Sequence, residues 1–317
     1  MSNDESRSLQ VTQMTWEAEG VLSLRLADPS GRPLPAWEPG AHLSLGLGGG
    51  LTREYSLCSR PDDRTGWAVA VLREPASRGG SAYVHERLRV GEIVTVTGPR
   101  NTFALEPASG YLLVAGGIGI TPILAMARDL HARGANWRML YAGRSRPRMA
   151  FVGELLALGA DRVVLHEDDV AGGPPPLADL LADPDPGTLV YCCGPEAMIR
   201  SAEEALRGRG CLRIERFRAP EPSVPAGGDA PFDIVCARSD VRVTVPASTS
   251  ALAALAASGI DVPSSCTEGI CGTCEMKVLA GAVDHRDFLL SEDERAAGAT
   301  MFVCVSRATG SEITLDV

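Results

Sequence analysis

The stretch SSCTEGICGTCEM, residues 264–276, places Cys266, Cys271 and Cys274 at the spacing C-x4-C-x2-C, and Cys304 follows in MFVCVSRA. Two bridged irons need four thiolates converging on one small volume. Three close cysteines with one distant partner are the plant-type [2Fe–2S] pattern. Gly269 and Gly272 let such a loop fold tightly and turn backbone N–H groups toward the sulfurs. A structural zinc site is the competing reading, although zinc usually takes two separated C-x2-C pairs and here there is one. Of the other cysteines, Cys58, Cys192, Cys211 and Cys236 are scattered and read as small core residues.

The opening MSNDESRSLQ lacks the basic and apolar regions of a signal peptide, and no run approaches the ~18 apolar residues of a membrane span. The expected location is therefore the cytoplasm, with no membrane partner. Reduced, clustered thiols there mean metal or redox chemistry rather than disulfides.

Upstream of the cysteine loop, RAPEPSVPAGGDAP (residues 218–231) is rich in Pro, Gly and Ala and has no periodicity. We read residues 221–231 as a linker and 232–317 as the last domain. Between 108 and 220 the pattern is a βαβ rhythm: YLLVAGG, WRMLYAG, RVVLHED and TLVYCCG as strands with helical segments between them. TPILAMARDLHARG has Pro122 early and Gly134 just past its end, as a helix should. The rhythm predicts an α/β doubly wound parallel sheet. Residues 1–107 alternate at period two in VLSLRLAD, AHLSLGLGG, WAVAVLRE and EIVTVTG, which predicts a small antiparallel β-barrel. One short helix is expected at SAYVHERL, capped by Ser81.

Two turns in the central segment carry candidate chemistry. VAGGIGITP, residues 114–122, runs from strand to helix through Gly116, Gly117 and Gly119, which suits close approach of a pyrophosphate to a helix N-terminus. YCCGPEAM, residues 191–198, repeats the geometry and puts Cys193, Gly194 and Pro195 at a strand end bordering the ligand crevice. The bland alternative for the second turn is a buried thiol and a helix-starting proline. In the barrel, LTREYSLCS offers Arg53 for a phosphate, Tyr55 as a flat ring and Ser56 for a heteroaromatic edge. SRGGSAYV supplies a second glycine-backed helix start at Gly79, Gly80 and Ser81. Together they outline a flavin-sized pocket.

Charge is uneven. The chain carries −10 overall, and from Ala219 onward fourteen acidic residues face six basic ones, a balance of −8 that leaves −2 for the rest. Nucleic acid is not the expected partner of such a surface. A basic docking face on another protein fits it, and simple solubility is the bland alternative.

Taken in order, REYSLCS, GGIGITP, YCCGP, SSCTEGICGTC, DHRD and VCVSRA resemble the motifs of the phthalate dioxygenase reductase family, which includes vanillate O-demethylase reductases. The resemblance implies a multidomain chain of flavin barrel, nucleotide domain and C-terminal ferredoxin-like β-grasp domain. It implies FMN rather than FAD, held by Arg53, Tyr55, Ser56, Ala70, Val71, Leu72, Gly79, Gly80 and Ser81, with Thr121 close by and Phe217 at its edge. Nothing physical in these residues excludes FAD. Where the phthalate enzyme has a lysine this chain has Leu72, and Arg73 or Arg78 could compensate.

The resemblance also implies NADH, along Gly116–Thr121 and Cys193–Pro195. The basic AGRSRPR, residues 142–148, leaves NADPH open. The activity implied is reduction of a Rieske-type terminal oxygenase or O-demethylase through transient electrostatic docking. A reductase of a cytochrome P450 is the alternative acceptor reading. No side chain is expected as a general acid or base, because the cofactors carry the chemistry.

Overall fold

The computed structural model describes residues 5–220 and 228–317; most of the expected linker, 221–227, lies outside the described residues. The chain divides into two compact units, Met1–Glu215 and Arg216–Val317.

The first unit begins with six antiparallel strands: β1 (Ser6–Ala18), β2 (Val21–Ala27), β3 (Ala41–Gly46), β4 (Thr52–Ser56), β5 (Trp67–Leu72) and β6 (Ile93–Asn101). Their order, β4-β3-β6-β1-β2-β5, leaves β4 and β5 at the two edges. An antiparallel bridge between Leu57 and Val69 and the bond from Cys58 N to Ala68 O (2.8 Å) bring those edges together. The inward positions Leu9, Leu24, Leu43, Leu45, Val69 and Val96 are buried in one cluster, as period-two strands curling on themselves require.

Helix α1 (Gly80–Glu86) follows β5. Its N-cap is Gly79 at φ +97°, with no side-chain cap. Ser81, expected to cap this helix, lies inside its first turn and is buried; Glu74 N donates to its hydroxyl (3.1 Å). The reason is conformational: glycine at 79 takes the left-handed turn, so the helix starts before the serine.

The second part of this unit is a five-stranded parallel sheet: β7 (Gly110–Gly116), β8 (Trp137–Gly143), β9 (Val163–Glu167), β10 (Thr188–Cys193) and β11 (Leu212–Glu215). Helices α2 (Ile120–Ala132), α3 (Val152–Gly159), α4 (Asp168–Ala171), α5 (Leu177–Leu180) and α6 (Glu196–Ala205) fill its crossovers. The order β11-β10-β7-β8-β9 reverses direction between β7 and β10. Ligands of such sheets bind outside the carboxyl ends of strands at that switch. Those ends are Gly116 and Cys193, which are the two turns singled out in the sequence. The barrel residues Ala18, Val21, Cys58, Ala70 and Phe103 share one buried cluster with α2, β7 and β8, so barrel and parallel sheet have a common core.

The second unit contains β12 (Phe232–Cys236), β13 (Val241–Val245), α7 (Ala251–Ala257), β14 (Glu275–Ala280), β15 (Val283–Asp284), α8 (Glu292–Ala297), β16 (Thr300–Phe302), β17 (Arg307–Ala308) and β18 (Glu312–Leu315). A mixed sheet of order β13-β12-β18-β14-β16 grips α7, whose Ala251, Ala254 and Leu255 pack on Ile234, Val245 and Ile313. Asp229, just past the undescribed segment, is tied down by Arg286 (2.6 Å) and faces the buried Arg307 (3.7 Å).

A thiol loop and a two-turn crevice

The cysteine loop connects α7 to β14 without regular structure of its own. Thr267 (φ +57°), Gly269 (φ +73°) and Gly272 (φ +80°) all turn left-handed there. A threonine in that region is strained by about 1–3 kcal/mol, which surrounding contacts must offset. Gly269 is obligatory for a second reason: a Cβ would lie 2.7 Å from Val305 Cγ2 and 3.1 Å from Asp287 Cα.

The loop is pinned from two sides. Val303 N donates to Cys274 O (3.3 Å), and Phe288 N donates to Gly269 O (2.9 Å). The DHRD segment is itself fixed, since buried Asp287 accepts from Leu289 N and Leu290 N and Arg286 N donates to Ser306 Oγ. This segment therefore holds both Gly269 and Ser306, two residues past Cys304. The His285 side chain is buried beside Asp287, with Nδ1 3.6 Å from Oδ1.

The four thiols stand as two hydrogen-bonded pairs, Cys266 with Cys271 and Cys274 with Cys304. Within the first pair, the partner's hydrogen bond pulls the Cys266 thiol down to about 6, and Cys271 is pushed up by the same bond. Within the second, the bond between the two thiols lowers Cys274 and raises Cys304. Backbone N–H groups of Glu268, Ile270 and Cys271 point at the Cys266 sulfur, and that of Gly269 at Cys304.

Two thiol pairs with amide donors around them suit two bridged irons, each taking one pair, and an anionic centre. The residues present fit a [2Fe–2S] cluster. Cys271, Cys274 and Cys304 are buried and Cys266 is half-buried, so one corner of the site approaches the surface.

At the switch point the two turns meet backbone to backbone. A Cβ on Gly119 would fall 2.2 Å from Cys193 O, and one on Gly194 would fall 3.0 Å from Gly116 Cα. A Cβ on Gly116 would strike Pro195 Cδ at 2.6 Å. These three glycines are spent on the approach of the two turns to each other. Gly117 (φ +53°) alone faces open space, at the start of the short 3-10 turn leading into α2. Thr121 is buried, its hydroxyl donating to Ile118 O (3.1 Å). Cys193 is fully enclosed, and desolvation together with nearby Glu215 pushes its thiol up, so it stays neutral.

The barrel motif reaches the same place. Ser56, the last residue of β4, donates to Glu215 Oε2 (3.2 Å), and β10–β11 register sets Glu215 beside Cys193. Desolvation raises the Glu215 carboxyl from its ordinary 4.5 up to about 8, with the Ser56 bond acting weakly the other way. Sequence reading missed Glu215. The only signal was its place at the end of LRIE, the last strand of the parallel sheet.

Arg53 extends over the start of α1: its guanidinium donates to Arg78 O (2.7 Å) and Thr52 O (2.7 Å). Gly80 makes room for it, since a Cβ there would lie 2.6 Å from Arg53 Cγ. Tyr55 is half-buried, and desolvation pushes its hydroxyl up to about 12. Ala70 and Val71 are buried on β5 and Leu72 is half-buried; His85 Nε2 lies 2.9 Å from Val71 O and ties α1 to that strand. Arg73, a candidate to replace the missing lysine, is ion-paired with Glu86 (2.6 Å). Phe217 belongs to the second unit and is 39% exposed.

Comparison with known proteins gives the same picture. The model of the 2Fe-2S iron-sulfur cluster binding domain matches residues 234–309. A toluene-4-sulfonate monooxygenase system reductase subunit of Comamonas testosteroni is 43% identical over 95% of both chains. The solved structure of phthalate dioxygenase reductase, a modular structure for electron transfer from pyridine nucleotides to [2Fe-2S], is 36% identical, with TM-score 0.72 over 99% of this chain and 98% of that one. An intact type IV self-sufficient cytochrome P450 monooxygenase matches 98% of this chain at 44% identity and TM-score 0.92, and this chain spans 41% of its length. The chain belongs to the family of phthalate dioxygenase reductase and vanillate O-demethylase oxidoreductase.

Proposed function

We propose that this chain is the NADH-dependent reductase of a Rieske-type aromatic oxygenase or O-demethylase, acting in the cytoplasm by transient docking. The observation that supports it most is the meeting of Ser56, Cys193 and Glu215 at the sheet's switch point, on a chain that also carries the paired thiols. When bound, the nicotinamide would supply a hydride, that is two electrons with a proton, the flavin would release the two electrons singly and the proton separately, and the cluster would take the electrons one at a time.

The chain's own part is placement. Arg53 and the glycine-started α1 form an anion cradle at one end of the flavin site, and Tyr55 supplies a flat wall. Ser56 and Glu215 set hydrogen-bonding groups at the other end. Glu215, protonated at neutral pH, adds no charge there and can donate or accept. Cys193, neutral and buried, offers a polarizable surface and no nucleophile. Gly117 leaves space where a pyrophosphate approaches the α2 start. Cys266, Cys271, Cys274 and Cys304 are the cluster ligands, and the half-buried Cys266 marks the side facing the acceptor. We retain 1–107, 108–220 and 232–317 as the three functional modules.

The acidic last domain, with Glu292 and Asp293 exposed at the start of α8, supports docking to a basic oxygenase face. Turnover coupled to a purified Rieske oxygenase should fall as ionic strength rises. A flat salt response would remove the electrostatic docking. The fused P450 relative favours a second reading, and exchange of the oxygenase for a P450 in the same assay decides between acceptors.

A further inference from the structure

The strand next to β7 ends in a turn that the site described above does not use. Beyond Gly143, the last residue of β8, come Arg144, Ser145, Arg146, Pro147 and Arg148. In doubly wound folds this position meets the adenosine ribose. A carboxylate there accepts from the 2′-hydroxyl of NAD, and arginine there accommodates the 2′-phosphate of NADP. No acidic residue lies between Gly143 and Glu154.

The turn is anchored rather than loose. Met149 is buried under it, and Gly143 makes that possible, since a Cβ would lie 2.5 Å from Met149 Cγ. Glu19 N donates to Pro147 O (2.8 Å), Arg148 N to Ser145 O (3.0 Å) and Asp169 N to Arg144 O (3.1 Å). Arg148 faces Glu19 (3.5 Å), which occupies that cation. Arg144 and Arg146 are exposed, and neither forms an ion pair with a carboxylate among the described residues. The acids on the neighbouring strand end are Glu167, Asp168 and Asp169, and Asp168 is directed at His166 (3.5 Å). Two uncommitted guanidinium groups and a half-buried serine hydroxyl thus stand on a fixed turn beside the nucleotide crevice.

We infer that Arg144, Ser145 and Arg146 form a 2′-phosphate subsite, so that this chain takes NADPH as well as NADH. The inference rests on the nucleotide site proposed above and adds the ligand's phosphate to it. Two charge-assisted contacts on a preorganised turn should favour a 2′-phosphorylated adenylate by about tenfold or more at low salt.

The test is calorimetric titration of the purified holoprotein with adenosine 2′,5′-bisphosphate and with 5′-AMP. The bisphosphate should bind at least about tenfold tighter, and the ratio should fall toward one in R144A/R146A. Ser145→Asp, which sets a carboxylate where the phosphate would sit, should reverse the preference. Equal binding of both adenylates by the native chain, or a preference that survives R144A/R146A, would overturn the inference alone. Binding of neither adenylate nor NADH would overturn the underlying nucleotide site as well.

Discussion

The cysteine loop and the switch-point crevice hold their groups by opposite means. In the loop, three of four ligands lie within nine residues, and left-handed turns at Thr267, Gly269 and Gly272 wrap the chain locally. In the crevice nothing is local. Ser56, Cys193 and Glu215 come from three strands, brought together by barrel closure and by the register of β10 on β11. Glycine serves both but does different work: backbone freedom at Gly272, backbone proximity at Gly119. The loop should therefore fail by losing a ligand and the crevice by losing an alignment.

The largest effect should come from removing a ligand. Cys274→Ser should cut electron delivery to cytochrome c by about a hundredfold or more while leaving NADH reduction of a small flavin-coupled dye, as expected when one of four thiolates is lost. Stopped-flow assay of both acceptors measures this split. Equal survival of both activities would place the thiol pairs off the route.

Next in size is Gly119→Ala. Its methyl group would meet Cys193 O at 2.2 Å, backbone against backbone, with no flexible side chain to yield. Forcing the turns apart should cost about 1–3 kcal/mol of stability. It should slow NADH reduction of the dye about tenfold or more, since misalignment by a fraction of an ångström is enough. Melting temperature and dye reduction should fall together; a change in the first alone would mean the turns serve only packing.

A smaller effect, in pH, tests Glu215. Its folded pKa, about 8, lies above its ordinary 4.5. The native state then holds a proton that the unfolded chain gives up, so its stabilising contribution is complete below 4.5 and is lost as pH rises through 8. Glu215→Gln should flatten the decline of stability across that window. Urea titrations from pH 5 to 9, roughly spanning the shift, read it directly. An unchanged slope would mean that desolvation does not hold the proton on this carboxyl.

The same contrast accounts for what the sequence reveals. The cluster ligands are legible because spacing along the chain is itself the constraint. Pro122 and Gly134 frame α2 as the rules for helix ends require, and the βαβ rhythm foretells the parallel sheet. Glu215 stays hidden because its partner Ser56 is 159 residues away and the desolvation of its carboxyl exists only after the strands register. The expected Ser81 cap fails because Gly79 turns first. Gly116 and Gly119 are legible as a glycine turn before a helix, and only the fold reveals that each also makes room for the second turn.

The central claim is that the paired thiols hold two irons on the route from nicotinamide to acceptor. Electron paramagnetic resonance of the anaerobic holoprotein after NADH, with iron and sulfide analysis, tests it most directly. Two irons and two sulfides per chain are expected, with a rhombic signal of a reduced plant-type cluster that appears with NADH. A chain that binds zinc at these thiols, or whose iron centre stays silent after NADH, would contradict it.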